Sequence, residues 1–142
     1  MGAAVLVMRS DQVLMVQRAH QPFRGEWMLP AGFVEYGEFA EDTAVRESLE
    51  ETGLIVRLDG LFGPYFGTDD PRNVSHLAVY HAIVEGGALN AGDDAADARF
   101  FSLDDLPENI AFKTHRRALA DLLRLRQKDH ASCSIDVDGR SE

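Results

Sequence analysis

The segment Gly32–Leu54, GFVEYGEFAEDTAVRESLEETGL, constrains this chain more than any other. The pattern turns helical from about Phe39 to Thr52, with Gly53 as a natural C-terminal stop. That helix ends on Glu50-Glu51-Thr52-Gly53, with negative charge clustered at its C-terminus. The arrangement works against the helix. The negative pole of the helix dipole lies at that end, and like charges three and four residues apart repel by roughly 0.2–0.5 kcal/mol per pair. Local rules broken this openly mark functional sites, where a ligand supplies the missing charge. The charge wanted here is that of a divalent cation.

At about 100° per residue, with Ala44 set at zero, Glu51 falls near 340°, Glu47 near 300° and Glu50 near 240°. Ala44, Ser48, Val45 and Leu49 fill the opposite arc, so the carboxylates share one face and the small or apolar residues the other. Oxygen ligands grouped this way suit Mg²⁺, with Mn²⁺ as a substitute, because both ions favour carboxylates, water and phosphate oxygens. Arg46, four residues before Glu50, is placed to orient that carboxylate, and Glu38 lies just ahead of the helix where it can fold back toward the cluster.

The rest of the chain agrees with a phosphate chemistry that needs a metal. A net charge of −10 on 142 residues argues against non-specific binding of nucleic acid or a membrane surface, both of which call for clustered Lys and Arg. An acidic protein that binds an anionic phosphate needs a metal or a few aimed cations to offset the repulsion. The single cysteine, Cys133, has no intrachain partner, which fits a reducing compartment. The opening MGAAVLVMRS has no basic lead-in and too short an apolar run for a signal peptide, and no stretch approaches the roughly 18 apolar residues of a membrane span. A cytoplasmic protein is expected.

Ala3–Met8 and Val13–Val16 read as adjacent strands across a polar turn. Pro22, Gly25, Pro30 and Gly32 break the next segment into a loop with short extended pieces. Ile55–Phe66 and Val74–Val84 read as two long strands joined by the turn signal Gly67–Asn73, and Ala98–Leu103 as a short one. Lys113–Arg126 forms a last amphipathic helix with Leu119, Leu122 and Leu123 on one side. Residues 1–128 make one domain, and 129–142 are expected as a disordered tail. Strands before and after a central helix imply an α/β fold with a mixed sheet between helices.

The spacing around the acidic helix is more specific than its charge. Gly32, Glu38, Arg46, Glu47, Glu50, Glu51 and Gly53 match the fixed positions of the Nudix box. Seven such positions match by chance with a probability on the order of 10⁻⁸ per start site, at the average usage of about 7% each. The chain therefore resembles a Nudix hydrolase. Two departures stand out: Ser48 occupies a usually aliphatic position on the packing side, and the common Pro-Gly-Gly entry reads Pro30-Ala31-Gly32. The resemblance implies an α/β/α sandwich and hydrolysis of a nucleoside diphosphate linked to another moiety. It also implies Glu47, Glu50 and Glu51 as metal ligands, Glu51 being the most open to a catalytic water. Glu38 and the Gly32 carbonyl are implied as further ligands, and Arg46 as the residue that orients the carboxylates. The general base lies in the box or in a later loop, where Asp93, Asp94 and Asp97 are candidates.

For the substrate, Gly32-Phe33-Val34-Glu35, Gly92-Asp93-Asp94-Ala95, Phe100-Phe101 and Leu106-Pro107 look like the ADP-ribose pyrophosphatase branch, with Pro71 near the position of a proline often found there. The polar signature of NADH pyrophosphatases is absent. ADP-ribose or a nucleotide sugar is the expected substrate. A nucleoside-triphosphate pyrophosphohydrolase and a non-catalytic nucleotide sensor are the alternatives. Arg24, Trp27, Arg72 and Asp97 are candidate substrate contacts, as is the basic group Lys113-His115-Arg116-Arg117. A homodimer is compatible with the long apolar strand Leu77–Val84.

Overall fold

A computed structural model describes the backbone of residues 1–70, 73–92 and 94–137, and the side chains among them outside 68–75 and 129–137. Strands β1 (Gly2–Arg9) and β2 (Gln12–Arg18) form the expected antiparallel pair. Two short strands follow, β3 (Trp27–Met28) and β4 (Ala31–Phe33), then helix α1 (Ala40–Thr52). The long strands β5 (Leu54–Asp70) and β6 (Asn73–Gly87) pair antiparallel out to Asp70 and Asn73. Strand β7 (Ala95–Ser102) and helix α2 (Lys113–Val137) complete the chain.

The sheet runs β3-β2-β1-β6-β5, with β4 on β1 and β7 on β2. Strand β1 lies parallel to β6 and antiparallel to β2 and β4, so the sheet is mixed. Alternation along β1 explains why Ala3–Val7 reads as an unbroken apolar run. Ala4 and Leu6 pack with Leu29, Val79 and Leu119 on the α2 side. Ala3, Val5 and Val7 pack with Ala44, Val56 and Ala82 on the α1 side. A strand buried on both faces has no polar side to show. Both faces are covered, and the fold is the expected α/β/α sandwich.

Local chemistry fixes α1. Gly53 sits at φ 76 and donates its N–H to Leu49 O at 2.9 Å, and a Cβ there would lie 2.3 Å from Ala88 O. Only glycine meets both demands. The last carbonyls of the helix are capped by the 88–92 loop: Asn90 N–H donates to Thr52 O at 2.8 Å and Gly92 N–H to Glu51 O at 2.9 Å. Ser48, the departure at an aliphatic position, is fully buried and donates to Leu54 O at 3.3 Å. Its hydroxyl therefore costs the core little. Leu49, placed by the helical wheel on the packing arc, is instead 49% exposed.

Helix α2 runs past Arg126 to Val137, so the first part of the segment expected as a tail is helical. No Gly or Pro stands between Lys113 and Gly139 to stop it. Among the described residues, no helix is long and apolar enough to cross a membrane.

Candidate active site

Arg46 organises the acidic face of α1. Its Nε donates to Glu38 Oε2 at 2.8 Å and its Nη2 to Glu38 Oε1 at 3.0 Å. Its Nη1 donates to Glu47 Oε2 at 3.0 Å and to Glu50 Oε1 at 3.2 Å. The forked guanidinium thus reaches three carboxylates at once, which a lysine could not do. Glu38, bound by Arg46 first and by the Thr43 hydroxyl second, has its pKa held down to about 2. Burial pushes Glu47 above the ordinary carboxylate range, against the pull of Arg46.

Glu51 stands apart from this network. Its Oε1 accepts the Ala31 N–H at 2.9 Å, and among the described residues no cation forms an ion pair with it. Burial raises its pKa to about 8. Glu51 is partly buried and of the three it alone lines a cavity of about 250 Å³, whereas Glu50 faces solvent with 57% side-chain exposure. The reason is β4, whose Ala31 and Gly32 close over the C-terminal turn of α1.

Gly32 permits that closure. A Cβ built on it would lie 2.1 Å from Glu47 Oε2, so the missing side chain is the space that the Glu47 carboxylate occupies. As the side chains lie, no three acidic, histidine or cysteine groups among the described residues converge closely enough to hold a metal. Glu38, Glu47 and Glu50 are each paired with Arg46 instead. The donor set still fits a hard divalent cation: several carboxylates, two of them pushed toward protonation by burial, beside a cradle that a methyl group would fill.

Glu51 shares its cavity with Ala31, Gln17, Arg18, His20 and Asp94. His20 Nε2 lies 3.9 Å from Asp94 Oδ1. Of the three loop acids considered as a base, Asp94 is thus at this cavity and Asp93 lies outside the described residues. Asp97 is bound by Arg99 at 2.7 Å and does not line the cavity. A second cavity of about 180 Å³ shares Arg18, Met28 and Ala31 with the first.

The remaining candidates fare unevenly. Trp27 is 7% exposed, and its ring packs edge-on against Phe101 at 4.8 Å, so its indole belongs to the core and is not free to stack on a base. Arg24 is exposed on the 19–26 loop and lines neither cavity. Arg72 lies outside the described residues. The basic group at the start of α2 is dispersed: Arg116 bonds Ile110 O at 2.7 Å, Arg117 bonds Phe66 O, and His115 is buried at 4% exposure. Sequence reasoning missed Arg18, His20 and the burial of His115. Arg18 had only a weak signal, its place at the end of β2, because the register shifts between Gln17 and Arg18 and breaks the alternation there. His115 and His20 had none.

The comparisons with known proteins agree with this geometry. The NUDIX domain family description matches residues 1–122, and the chain belongs to that family. It is an enzyme of the pyrophosphohydrolase class, acting on a diphosphate-linked nucleotide. An ADP-ribose pyrophosphatase of Methanocaldococcus jannaschii is 42% identical over 120 residues, covering 84% of this chain and 70% of that one. An NAD-capped RNA hydrolase, NudC, of Pseudomonas aeruginosa is 37% identical over 130 residues, covering 89% of this chain but only 45% of that protein. The crystal structure of a NUDIX hydrolase from Nitrosomonas europaea superposes with a TM-score of 0.75 at 28% identity, covering 83% of this chain and 66% of that one.

Proposed function

We propose that the protein hydrolyses the diphosphate of ADP-ribose or a related nucleotide sugar, giving AMP (or the corresponding nucleoside monophosphate) and a sugar phosphate, with Mg²⁺ as cofactor and Mn²⁺ as a substitute. The observation that carries the substrate class is the ADP-ribose pyrophosphatase of 42% identity, whose length this chain covers to 70%. The NAD-capped RNA hydrolase supports the coarser reading, since NAD also contains a nucleoside diphosphate.

The ligands proposed for the metal are Glu47, Glu50 and Glu51, with Glu38 and the Gly32 carbonyl in support. Bound there, Mg²⁺ would neutralise the diphosphate oxygens and lower the pKa of an attacking water. The side chains prepare this in separate ways. Arg46 ties Glu38, Glu47 and Glu50 together on one side of α1. The Ala31 N–H turns Glu51 toward the cavity, and Arg18 on the same wall offers positive charge to the phosphates. Water adds to one phosphorus, the bridging P–O bond breaks, and the two phosphates leave as separate monoesters. Asp94 is the proposed acceptor for the proton of that water, being the described loop acid at the cavity.

A screen of ADP-ribose, nucleotide sugars, dinucleotides and nucleoside triphosphates with Mg²⁺, products identified by mass, tests this. AMP and ribose 5-phosphate from ADP-ribose are expected at the highest kcat/KM. Preferential release of pyrophosphate from a triphosphate would overturn the substrate reading. Binding without turnover on every compound would leave a sensor.

A further inference from the structure

The cavity beside Glu51 is framed by two loops that the pairing of β2 with β7 brings side by side. Strand β2 runs into the 19–26 loop, β7 begins at Ala95, and Arg18 pairs with Ala95 across a register shift. His20 therefore stands opposite Asp94, its Nε2 3.9 Å from Oδ1, and both side chains line the cavity with Glu51. A pair this exposed, at 67% and 86%, contributes little to the fold, so stability does not account for its placement.

Both loops are held from behind. Arg18 Nε donates to Pro22 O at 2.7 Å, Gly25 N–H to Arg18 O at 2.9 Å and the Gln17 amide to Gly25 O at 3.0 Å, which stitches the 19–26 loop together. Across the cavity, Ala95 N–H donates to Gly92 O at 3.1 Å and Gly92 N–H to Glu51 O at 2.9 Å. Gly92 lies so close to the helix that a Cβ on it would run into Glu50 O. The turn that carries Asp94 is thus fastened to the helix end that carries Glu50 and Glu51. Its backbone is set relative to those carboxylates, but its side chain is not. Among the described residues His20 is the one ion-pair partner of Asp94, which makes no hydrogen bond. Arg18, the cation on the same wall, commits Nε to Pro22 O and Nη1 to Met28 Sδ.

A base that takes a proton from water must keep one oxygen within hydrogen-bond reach of it. An aspartate free to rotate at the edge of a cavity does so only part of the time, and an incoming diphosphate repels it. A ring nitrogen facing one carboxylate oxygen answers both difficulties. It restricts rotation, leaves the other oxygen for the water and sets a donor beside the like charges. Contacts of this kind are commonly long until substrate binds and then shorten, which accommodates the 3.9 Å separation.

We infer that His20 is a positioning residue that holds the Asp94 carboxylate toward the attacking water. This rests on the reading of Asp94 as the proton acceptor and deepens it.

Steady-state kinetics with Mg²⁺ and ADP-ribose on four variants tests the inference. His20→Ala should lower kcat about tenfold and leave KM within about twofold of the parent. His20→Gln, whose amide nitrogen reaches about as far as Nε2, should stay within about threefold in kcat. Asp94→Asn should lose about 10²-fold or more, and adding His20→Ala to it should cost less than about a further twofold, because the group acted on is already gone. A raised KM at unchanged kcat would make His20 a phosphate contact and overturn the inference. So would a Gln variant as slow as the Ala variant, or losses that multiply in the double variant. Asp94→Asn with parental kcat would overturn the proton-acceptor reading, and this inference with it. A slow Asp94→Asn beside a His20→Ala of parental rate would overturn the inference alone.

Discussion

Arg46 and Arg126 both gather more carboxylate charge than one guanidinium neutralises, but they differ in how many carboxylates they gather and how deeply those lie. Arg46 on α1 holds Glu38, Glu47 and Glu50, has Glu35 at 3.5 Å, and leaves Glu51 one turn on with no ion pair among the described residues. Arg126 on α2 holds only Asp11, in the β1–β2 turn, and Asp104, after β7. Those two aspartates are 55% and 73% exposed, so water shares their charge. Both clusters carry more negative charge than their arginine can answer, but the first does so with glutamates in partly buried ground beside a cavity. The second joins a helix to two loops, and its residues line neither of the two cavities described above. Excess charge under burial distinguishes a site awaiting a cation from a clasp.

The largest test of that contrast is Glu51→Gln. Removing the carboxylate that faces the cavity should lower kcat for ADP-ribose by about 10²–10⁴, the usual contribution of a group that handles a proton or its equivalent in charge. Melting in chelator above about pH 8, where the buried carboxyl is ionised, should meanwhile show the metal-free variant no less stable than the parent, since a poorly compensated charge is gone. A clear loss of melting temperature would mean that Glu51 supports the fold.

Gly32→Ala should come next. The backbone there is one that alanine can adopt, so the effect is the new methyl against Glu47 Oε2 at 2.1 Å. A carboxylate at the end of a flexible chain can shift, so the fold should survive while Glu47 moves. A displacement of this size costs about 10²-fold in kcat. Pairing it with Glu47→Asp, whose shorter side chain leaves room, should worsen kcat less than the two separate losses multiply to. Simple multiplication in steady-state kinetics would rule out the contact as the cause.

Arg46→Lys keeps the charge and loses the fork. Groups that orient metal ligands contribute roughly 10–100-fold in metal affinity or activity, and a loss in that range is expected, measured as the Mg²⁺ concentration for half-maximal rate. An unchanged Mg²⁺ requirement would show that Arg46 does not position the ligands.

Glu51 also predicts a pH dependence of stability without metal. Its folded pKa of about 8 lies above the ordinary 4.5, so the folded state binds the proton more tightly than the unfolded chain does. The contribution is fully present below about 4.5, declines as pH rises through that interval, and is gone above about 8. Glu38, held near 2 by Arg46, works the other way and loses its contribution only as pH falls below about 4.5. Melting temperature in chelator should therefore fall from pH 5 to pH 8 in the parent and stay flatter in Glu51→Gln. A parallel fall in both would assign the effect elsewhere.

How far the sequence carried this contrast depends on the range of the interactions. The crowded helix end, the αL stop at Gly53 and the mixed sheet were legible because local spacing and strand alternation set them. Glu38 folding back onto Arg46 was legible for the same reason, being eight residues away. What β4 does to Glu51 was not, because enclosure comes from a strand placed by its pairing with β1. Trp27 and His115 read as substrate contacts for one reason: the isolated sequence does not say which face of α2 turns to the core. The bond between Leu29 and His115 spans 86 residues, and no periodicity reports it.

The smallest expected effect completes the comparison. Arg126→Met keeps an aliphatic stem of similar length and removes the charge. If Arg126 is only a clasp, kcat, KM and the Mg²⁺ requirement should stay within twofold of the parent, while the melting temperature falls modestly because α2 loses its tie to Asp11 and Asp104. The same variant made in Glu51→Gln should shift melting by the same amount, since the two sites share no residue. A change in the Mg²⁺ requirement would couple the clusters, and excess buried charge would then no longer be what tells the site from the clasp.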